Sequence, residues 1–518
     1  MTRGRAMGLA AAAAAMVYLP SLGNSFALDD GPVVQRNPAA HAVGPALHAF
    51  DQPYWPPENG AGQWRPLVIL SFAVDWQLSG GSTVWLHAAN VAWHAAATAL
   101  LVPILAAYVP LAAALAGALV FAVHPVHVEA VANLVGRAEP IAACFLFAAL
   151  LLGRVVRRRR AAGLGTLSAE IGLVAAVSLA LLSKEHAALA VALLALDDFA
   201  TRDRVEGLRA LPWRDYAAVA VLTAAWFVMR RTVDAGASFR FVAPTFYGLG
   251  AWGRVSTMLP AAFVVLRLLV WPFDLSADYM PQIVPRLTGL TALGVAGLVV
   301  ALAGLALAIA AWRGHRALSV GLLLVGLAWL PTSNLFFPTG VVVAERTLYL
   351  ASAGAVLVLA AGYERLSESR GSLTAALAAG VVLLAFGLRS VTQVPVWRTN
   401  RDLVLWGLEH HPDSYRQHQA AARALVRMGD LPDALHEYDL AIELFPLDDY
   451  DLVEAASAAL DRGEARRSLA YLRRIVPSEG GHVPDLVRTL TERAVRARDA
   501  AGSAARQART EVPRSPMR

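Results

Sequence analysis

Two adjacent carboxylates, Asp29 and Asp30, stand where an apolar stretch over 7–26 gives way to a polar loop, LDDGPVVQRNP. Neighbouring carboxylates repel, so one of them holds a raised pKa and suits proton transfer. At the mouth of a membrane helix, such a pair fits chemistry on a substrate presented at the bilayer surface. The competing reading is structural, because an aspartate also caps short helices and marks loops as polar.

Other reactive side chains gather at the ends of later apolar stretches. HPVHVEAVANLVGRAE (124–139) places His124, His127 and Glu129 close together. Those types suit zinc or manganese, but the spacing is not HExxH and no third His is adjacent, so a phosphate contact or a helix cap stands equally open. Arg137 with Glu139 and Lys184 with Glu185 are opposite-charge neighbours. They read either as structural ion pairs or as phosphate contacts from Arg137 or Lys184. Lys184 is the only lysine in the chain. Glu345 and Arg346 follow NLFFPTG and open another apolar stretch. An arginine there clamps an anionic oxygen bidentately, or anchors the interface with Tyr349.

The elements that must position these residues are membrane helices. The chain has 518 residues, 57% hydrophobic and 16% charged, with mean hydropathy +0.49, a composition that belongs in lipid. Apolar segments near 7–26, 84–106, 110–123, 140–153, 168–183, 186–198, 215–230, 288–311, 317–332, 345–362 and 372–390 predict about eleven spans. The basic loops 154–160, 202–214, 312–316 and 363–370 face the cytoplasm by the positive-inside rule. That puts the N-terminus inside and the reactive loops together outside. The net charge of +6 reads as topology control, not nucleic-acid binding. Residues 251–273 are apolar enough to cross, but crossing would invert every later basic loop. They read as a re-entrant or interfacial helix pair broken at Pro260, with both ends outside. Residues 64–80, with Arg65 and Asp75, read as interfacial. A cleaved signal peptide competes for the N-terminus. The lone Cys144 excludes an internal disulfide and a cysteine-based metal site.

Beyond residue 391 the chain is soluble in character, and a 34-residue period appears. Gly429 and Gly463 stand one repeat apart, as do Pro412 and Pro446. Ala434, Tyr438, Ala441 and Pro446 have the offsets of the tetratricopeptide pattern, with Ser468, Leu472 and Ile475 at the matching places of a degenerate second unit. The fold class expected is all-α: a polytopic membrane bundle over 1–391, an α-solenoid of tetratricopeptide repeats over 392–490, and a basic disordered tail over 491–518. Ala, Arg, Gly and Val dominate, as in a GC-rich bacterial genome, so a bacterial inner membrane is expected.

Taken together, the acids after the first span, RPLVILSFAVDW, HPVHVEAVANLVGRAE, SKE, LSADY and NLFFPTGVVVAERTLYL, followed by the repeats, resemble the transmembrane and tetratricopeptide-repeat O-mannosyltransferases. The resemblance runs from about Asp29 to about Pro446. It implies a glycosyltransferase of the GT-C class that takes its sugar from a polyprenyl phosphate. It also implies site roles: Asp29 and Asp30 as the loop acids, one of them the base, and Arg346, Lys184 and Arg137 on the donor phosphate. His124, His127, Glu129, Glu139, Glu185 and Glu345 then support the outer face.

The mechanism expected is inverting transfer of a sugar, mannose by resemblance, to a Ser or Thr hydroxyl of a protein. No resident metal or other cofactor is expected, although a divalent metal would be compatible. The expected partners are the bilayer, the lipid-linked donor, and an acceptor or partner protein held by the repeats; nucleic acid is not among them. Two rivals remain: a catalytically silent scaffold presenting the repeats, and a transporter, which wants charges at mid-membrane and not at span ends.

Overall fold

The computed structural model describes residues 1–56, 62–201, 211–234, 242–279, 281–475 and 483–510. Most of the basic stretch 202–214 therefore lies outside the described residues. Those described are helical, with no strand among them. The chain divides into two compact units. Unit 1 comprises 1–241, 251–277 and 287–403; unit 2 comprises 242–250, 278–286 and 404–518. Residues 392–403, read from sequence with the repeats, thus stay with unit 1, and two segments of the apolar region join unit 2.

Unit 1 is built from α1 (Arg3–Tyr18), α2 (Pro66–Ser79), α3 (Thr83–Leu105), α4 (Leu111–Val123), α5 (Ala138–Ala161), α6 (Leu167–Leu181), α7 (Ala190–Thr201), α8 (Trp213–Asp234), α9 (Ala251–Val270), α10 (Ala292–Ala311), α11 (Arg316–Trp329), α12 (Tyr349–Arg370) and α13 (Ser372–Gln393). Among the described residues, eight helices are long and apolar enough to cross a membrane. A ninth is counted if α4 and the following Pro125–Ala132, bent by 48°, form one span. The chain is an integral membrane protein. The expected count of eleven is not met, for a physical reason. At 1.5 Å per residue α6 reaches about 22 Å, α11 about 21 Å and α7 about 18 Å, short of a hydrocarbon core of about 30 Å, whereas α9, expected to be re-entrant or interfacial, is among the eight. Moreover, α7 carries Asp197 and Asp198.

Close helix crossings rest on glycine. A Cβ on Gly321 of α11 would lie 2.7 Å from the Gly354 carbonyl of α12, and one on Gly354 would lie 2.5 Å from the Gly321 carbonyl. Such small-residue crossings replace the hydrophobic drive that lipid removes.

Helix α5 sets the polarity of the unit. Glu139 lies in its first turn and Arg158, Arg159 and Arg160 in its last, about 30 Å apart along the axis. Near the arginine end, Arg154 meets Asp197 at 2.5 and 2.9 Å, Tyr108 donates to Asp197 at 2.6 Å, and Arg157 pairs with Asp198. A buried ion pair is retained there because every charge in it is paired.

Helix α9 corrects one expectation: Pro260 does not break it, and the helix is continuous over Ala251–Val270. Its first turn is held by Arg254 donating to the Asn334 carbonyl at 2.7 Å. Its last turn is held by His124 Nε2 against the Leu269 carbonyl at 3.1 Å. Both anchors belong to loops that lead into the reactive end of unit 1.

Unit 2 carries helix pairs. Helix α14 (Asn400–His410) begins in unit 1 and runs into unit 2. It precedes α15 (Tyr415–Met428) with α16 (Leu431–Leu444), then α17 (Asp449–Asp461) with α18 (Ala465–Leu472). The pair starts, 415 to 449 and 431 to 465, keep the spacing read from the glycines. Gly429 (φ 81°) and Gly463 (φ 83°) occupy the left-handed turn inside each pair, which a side chain resists. Tyr438, Ile442, Leu452, Val453, Tyr471 and Leu472 form the core. Helix α19 (Val483–Thr510) replaces most of the expected disordered tail. Its apolar residues Leu490 and Ala494 are buried, which accounts for the helix forming at all; residues 511–518 lie outside the described residues.

Candidate active site

The acidic loop is held from several sides. Asn24 donates to the Val394 carbonyl at 3.3 Å, the Ser25 amide to the Arg398 carbonyl at 2.8 Å, and the Leu28 amide to Asn400 Oδ1 at 2.6 Å. Leu28 adopts φ 47°, left-handed and unusual for a side chain with a branched body. Backbone strain of this kind persists only where surrounding contacts over-determine it.

The two aspartates have different surroundings. Asp30 is fully buried. Its Oδ2 accepts from the amides of Ala27 (3.1 Å) and Leu134 (3.3 Å), and its Oδ1 from Val135 (2.9 Å). Burial pushes its carboxyl up to about 7, against the pull of those three amides, and the Asp29 charge adds to the rise. Asp29 is half-buried and lies within the electrostatic reach of Arg346.

Around them the predicted charges come together. Arg346 Nη1 pairs with Glu129, and the Arg346 amide donates to Glu129 Oε2 at 2.8 Å. Lys184 Nζ meets Glu139 Oε1 at 2.8 Å, and His186 Nδ1 meets Glu139 Oε2 at 3.3 Å. Arg65 holds Glu185 with two bonds of 3.1 and 3.0 Å. Glu345 accepts from the Ser276 amide at 2.7 Å, so it fixes a loop. Burial lowers the pKa of Lys184, and Arg65 adds to that. Glu185 is half-buried; desolvation raises its carboxyl, yet the Arg65 guanidinium holds it well below the usual range. Glu129, Glu139 and Glu185 each pair with a cation, so the cluster carries no large excess of positive charge.

Three expected site residues serve the fold instead. Arg137 is fully buried. Its Nε donates to Asn90 (2.7 Å), its Nη1 to Asp75 (2.5 Å) and its Nη2 to the Leu86 carbonyl (2.8 Å), with the Phe72 ring 3.9 Å away. Its donors are turned into the protein, so the phosphate contact expected of it is corrected. His124 bonds the Leu269 carbonyl, and His127 Nε2 bonds Ser352 Oγ at 2.8 Å. Both are fully buried and pin the bent end of α4 to α9 and α12; their support of an outer face is corrected in the same way. Among the described residues, no group of three or more His, Cys, Asp or Glu is placed to hold a metal ion.

The structure adds residues that motif spacing does not reveal. Asn90 donates to the carbonyls of Val131, Asn133 and Leu134 at 3.1–3.2 Å. That shapes the turn whose amides hold Asp30. Arg65, read from the sequence only as part of an outer-face interfacial segment, joins the cluster through its bond to Glu185.

Comparison with characterised sequences gives the arrangement a context. The chain is similar to protein O-mannosyl-transferases. It is 27% identical over 440 residues to a Caenorhabditis elegans protein of that name, F38B6.6, covering 83% of this chain and 61% of the relative. It is 27% identical over 478 residues to human TMTC4, covering 82% and 64%. Drosophila melanogaster Tmtc2 is 32% identical over 292 residues, covering 53% and 30%. The chain thus spans about three-fifths of the length of the first two. No family model and no solved structure matches it.

Proposed function

We propose that this protein is a membrane O-mannosyltransferase of the GT-C kind, using a polyprenyl-phosphate sugar, with Asp29 as the base. The observation that carries the reading is the contrast inside the acid pair. All three amide bonds of Asp30 build the loop, whereas Asp29 is half-buried beside Arg346. Asp30 is then a positioning residue. Similarity to protein O-mannosyl-transferases over most of the chain supports the reaction class.

Asp29 takes the proton of a Ser or Thr hydroxyl on the acceptor protein. The hydroxyl oxygen bonds to the anomeric carbon as the bond from that carbon to the lipid-phosphate oxygen breaks, and the electron pair leaves with the phosphate. Attack from the opposite face inverts the centre, as in inverting glycosidases. Arg346 stabilises the departing phosphate, because its Nη1 is paired while its side chain keeps 26% exposure. Lys184 assists from its bond to Glu139. The reaction takes place on the extracytoplasmic face of a bacterial inner membrane, with the N-terminus inside. The helix pairs of unit 2 are read as tetratricopeptide repeats, outside the membrane, that hold an acceptor or partner protein.

The pairing of Arg65, Lys184 and Arg346 with carboxylates also suits an inactive scaffold. Transfer of labelled mannose from synthetic polyprenyl-phosphate-mannose, in wild type and Asp29→Asn, decides between them. The enzyme reading expects Asp29-dependent label, whereas the scaffold expects none from any lipid-linked sugar.

A further inference from the structure

The segment between the acidic loop and α2 carries two buried donors that the chain leaves unused. Tyr54 is 3% exposed and Trp64 is 1% exposed. Neither the Tyr54 hydroxyl nor Trp64 Nε1 has a hydrogen-bond partner among the described residues. The segment itself is ordered at this point, since the Tyr54 amide donates to the Gln63 carbonyl at 2.8 Å. Tyr54 belongs to the buried apolar cluster that includes Val33, Val34, Phe72 and Leu134, so its body is part of the core beside the acidic loop. Charge surrounds the residue: the Arg65 guanidinium lies over the ring, its carbon 5.0 Å from the centroid, and Asp29, Asp30 and Glu185 lie within electrostatic reach.

A buried donor without a partner is costly, and such a group in a native fold calls for a reason. Its surroundings select the chemistry of what it waits for. Three carboxyl groups outnumber the one guanidinium, itself paired with Glu185, so the surroundings disfavour a phosphate. A sugar hydroxyl fits, because it accepts a bond from Tyr54 while donating to a carboxylate oxygen.

We propose that the Tyr54 hydroxyl binds one hydroxyl of the sugar being transferred, placing the sugar beside Asp29 while the lipid phosphate lies toward Arg346. The proposal rests on the transferase reading above. It makes Tyr54 a specificity-determining residue, since a site built around a substrate hydroxyl rejects the analogue that lacks it.

The test compares full-length wild type with Tyr54→Phe, using polyprenyl-phosphate-mannose and donors that lack one sugar hydroxyl at a time. Tyr54→Phe is expected to lower kcat/KM for the full donor by about tenfold. For one deoxy donor, wild type should fall to the level of the variant and the variant should fall no further. The Tm of Tyr54→Phe in detergent should stay level or rise, because an unsatisfied hydroxyl is removed. Equal kcat/KM in the two proteins overturns the proposal, and so does a marked fall in Tm, which would show a structural partner. Asp29→Asn is run alongside: if it leaves transfer intact, the transferase mechanism itself fails, whereas Asp29-dependent transfer with an unaffected Tyr54→Phe sinks the Tyr54 assignment alone.

Discussion

Two neighbouring aspartates with the same chemistry diverge here because Asp30 is fully buried among three backbone amides whereas Asp29 is half-buried within electrostatic reach of Arg346. Asp30→Asn leaves an amide of Ala27, Leu134 or Val135 facing a side-chain N–H, at a cost of about 1–3 kcal/mol. Asp29→Asn leaves those three amides and their acceptor in place. Thermal melts in detergent should show a larger fall in Tm for Asp30→Asn than for Asp29→Asn. The raised carboxyl of Asp30 adds a pH signature. Folded Asp30 takes up its proton near 7, whereas the unfolded side chain does so near about 4. Lowering pH through that window therefore stabilises the fold, and raising it removes the contribution. The Tm of wild type relative to Asp30→Asn should rise between about pH 8 and about pH 5.5; a flat difference would deny the buried acid. Arg137→Gln leaves Asp75 without its buried partner and should cost about 3–5 kcal/mol, read as lost folded protein with no selective rise in donor KM. The gathering of charge was partly legible in the sequence: Arg346 pairs with Glu129, Lys184 with Glu139, and Asp29 lies within electrostatic reach of Arg346. The roles were less so, because Arg137, His124 and His127 look the same in a string whether they face a ligand or a carbonyl.

At the scale of elements, one turn connects the two halves of the charged cluster. Residues 133–137 give their amides to Asp30 on one side and pass close to the Glu129 carbonyl on the other. Gly136 allows this, since a Cβ there would lie 2.5 Å from the Glu129 carbonyl and 2.7 Å from that of Ala130. Gly136→Ala should cost about 1–3 kcal/mol through forced displacement and should lower transfer as well, because Glu129 holds Arg346. Transfer and Tm both at wild-type levels would show that the close approach has no consequence. Apolar runs and basic loops let the sequence place most of the helices. It misjudged α9, where a proline suggested a break that the helix absorbs. The expected disordered tail was a second miss, since an arginine-rich composition hid the apolar stripe of Leu490 and Ala494.

At the scale of the whole chain, orientation is the claim to test. Cys144 is buried and is the only cysteine, so labelling backgrounds are low. Phe336 is 69% exposed in the loop before Glu345, and Arg365 is exposed at the far end of α12. A membrane-impermeant thiol reagent added from outside should label Phe336→Cys and spare Arg365→Cys until the cells are opened. Labelling of both from one side would overturn the orientation.

The most direct measurement remains transfer of radiolabelled mannose from synthetic polyprenyl-phosphate-mannose to membrane proteins, with Asp29→Asn and Asp30→Asn assayed separately at matched folded protein. The account predicts label in wild type and a loss of about 10²–10⁴-fold in Asp29→Asn, with Asp30→Asn falling only as far as its folded fraction or loop order falls. Full transfer by a folded Asp29→Asn protein would contradict it.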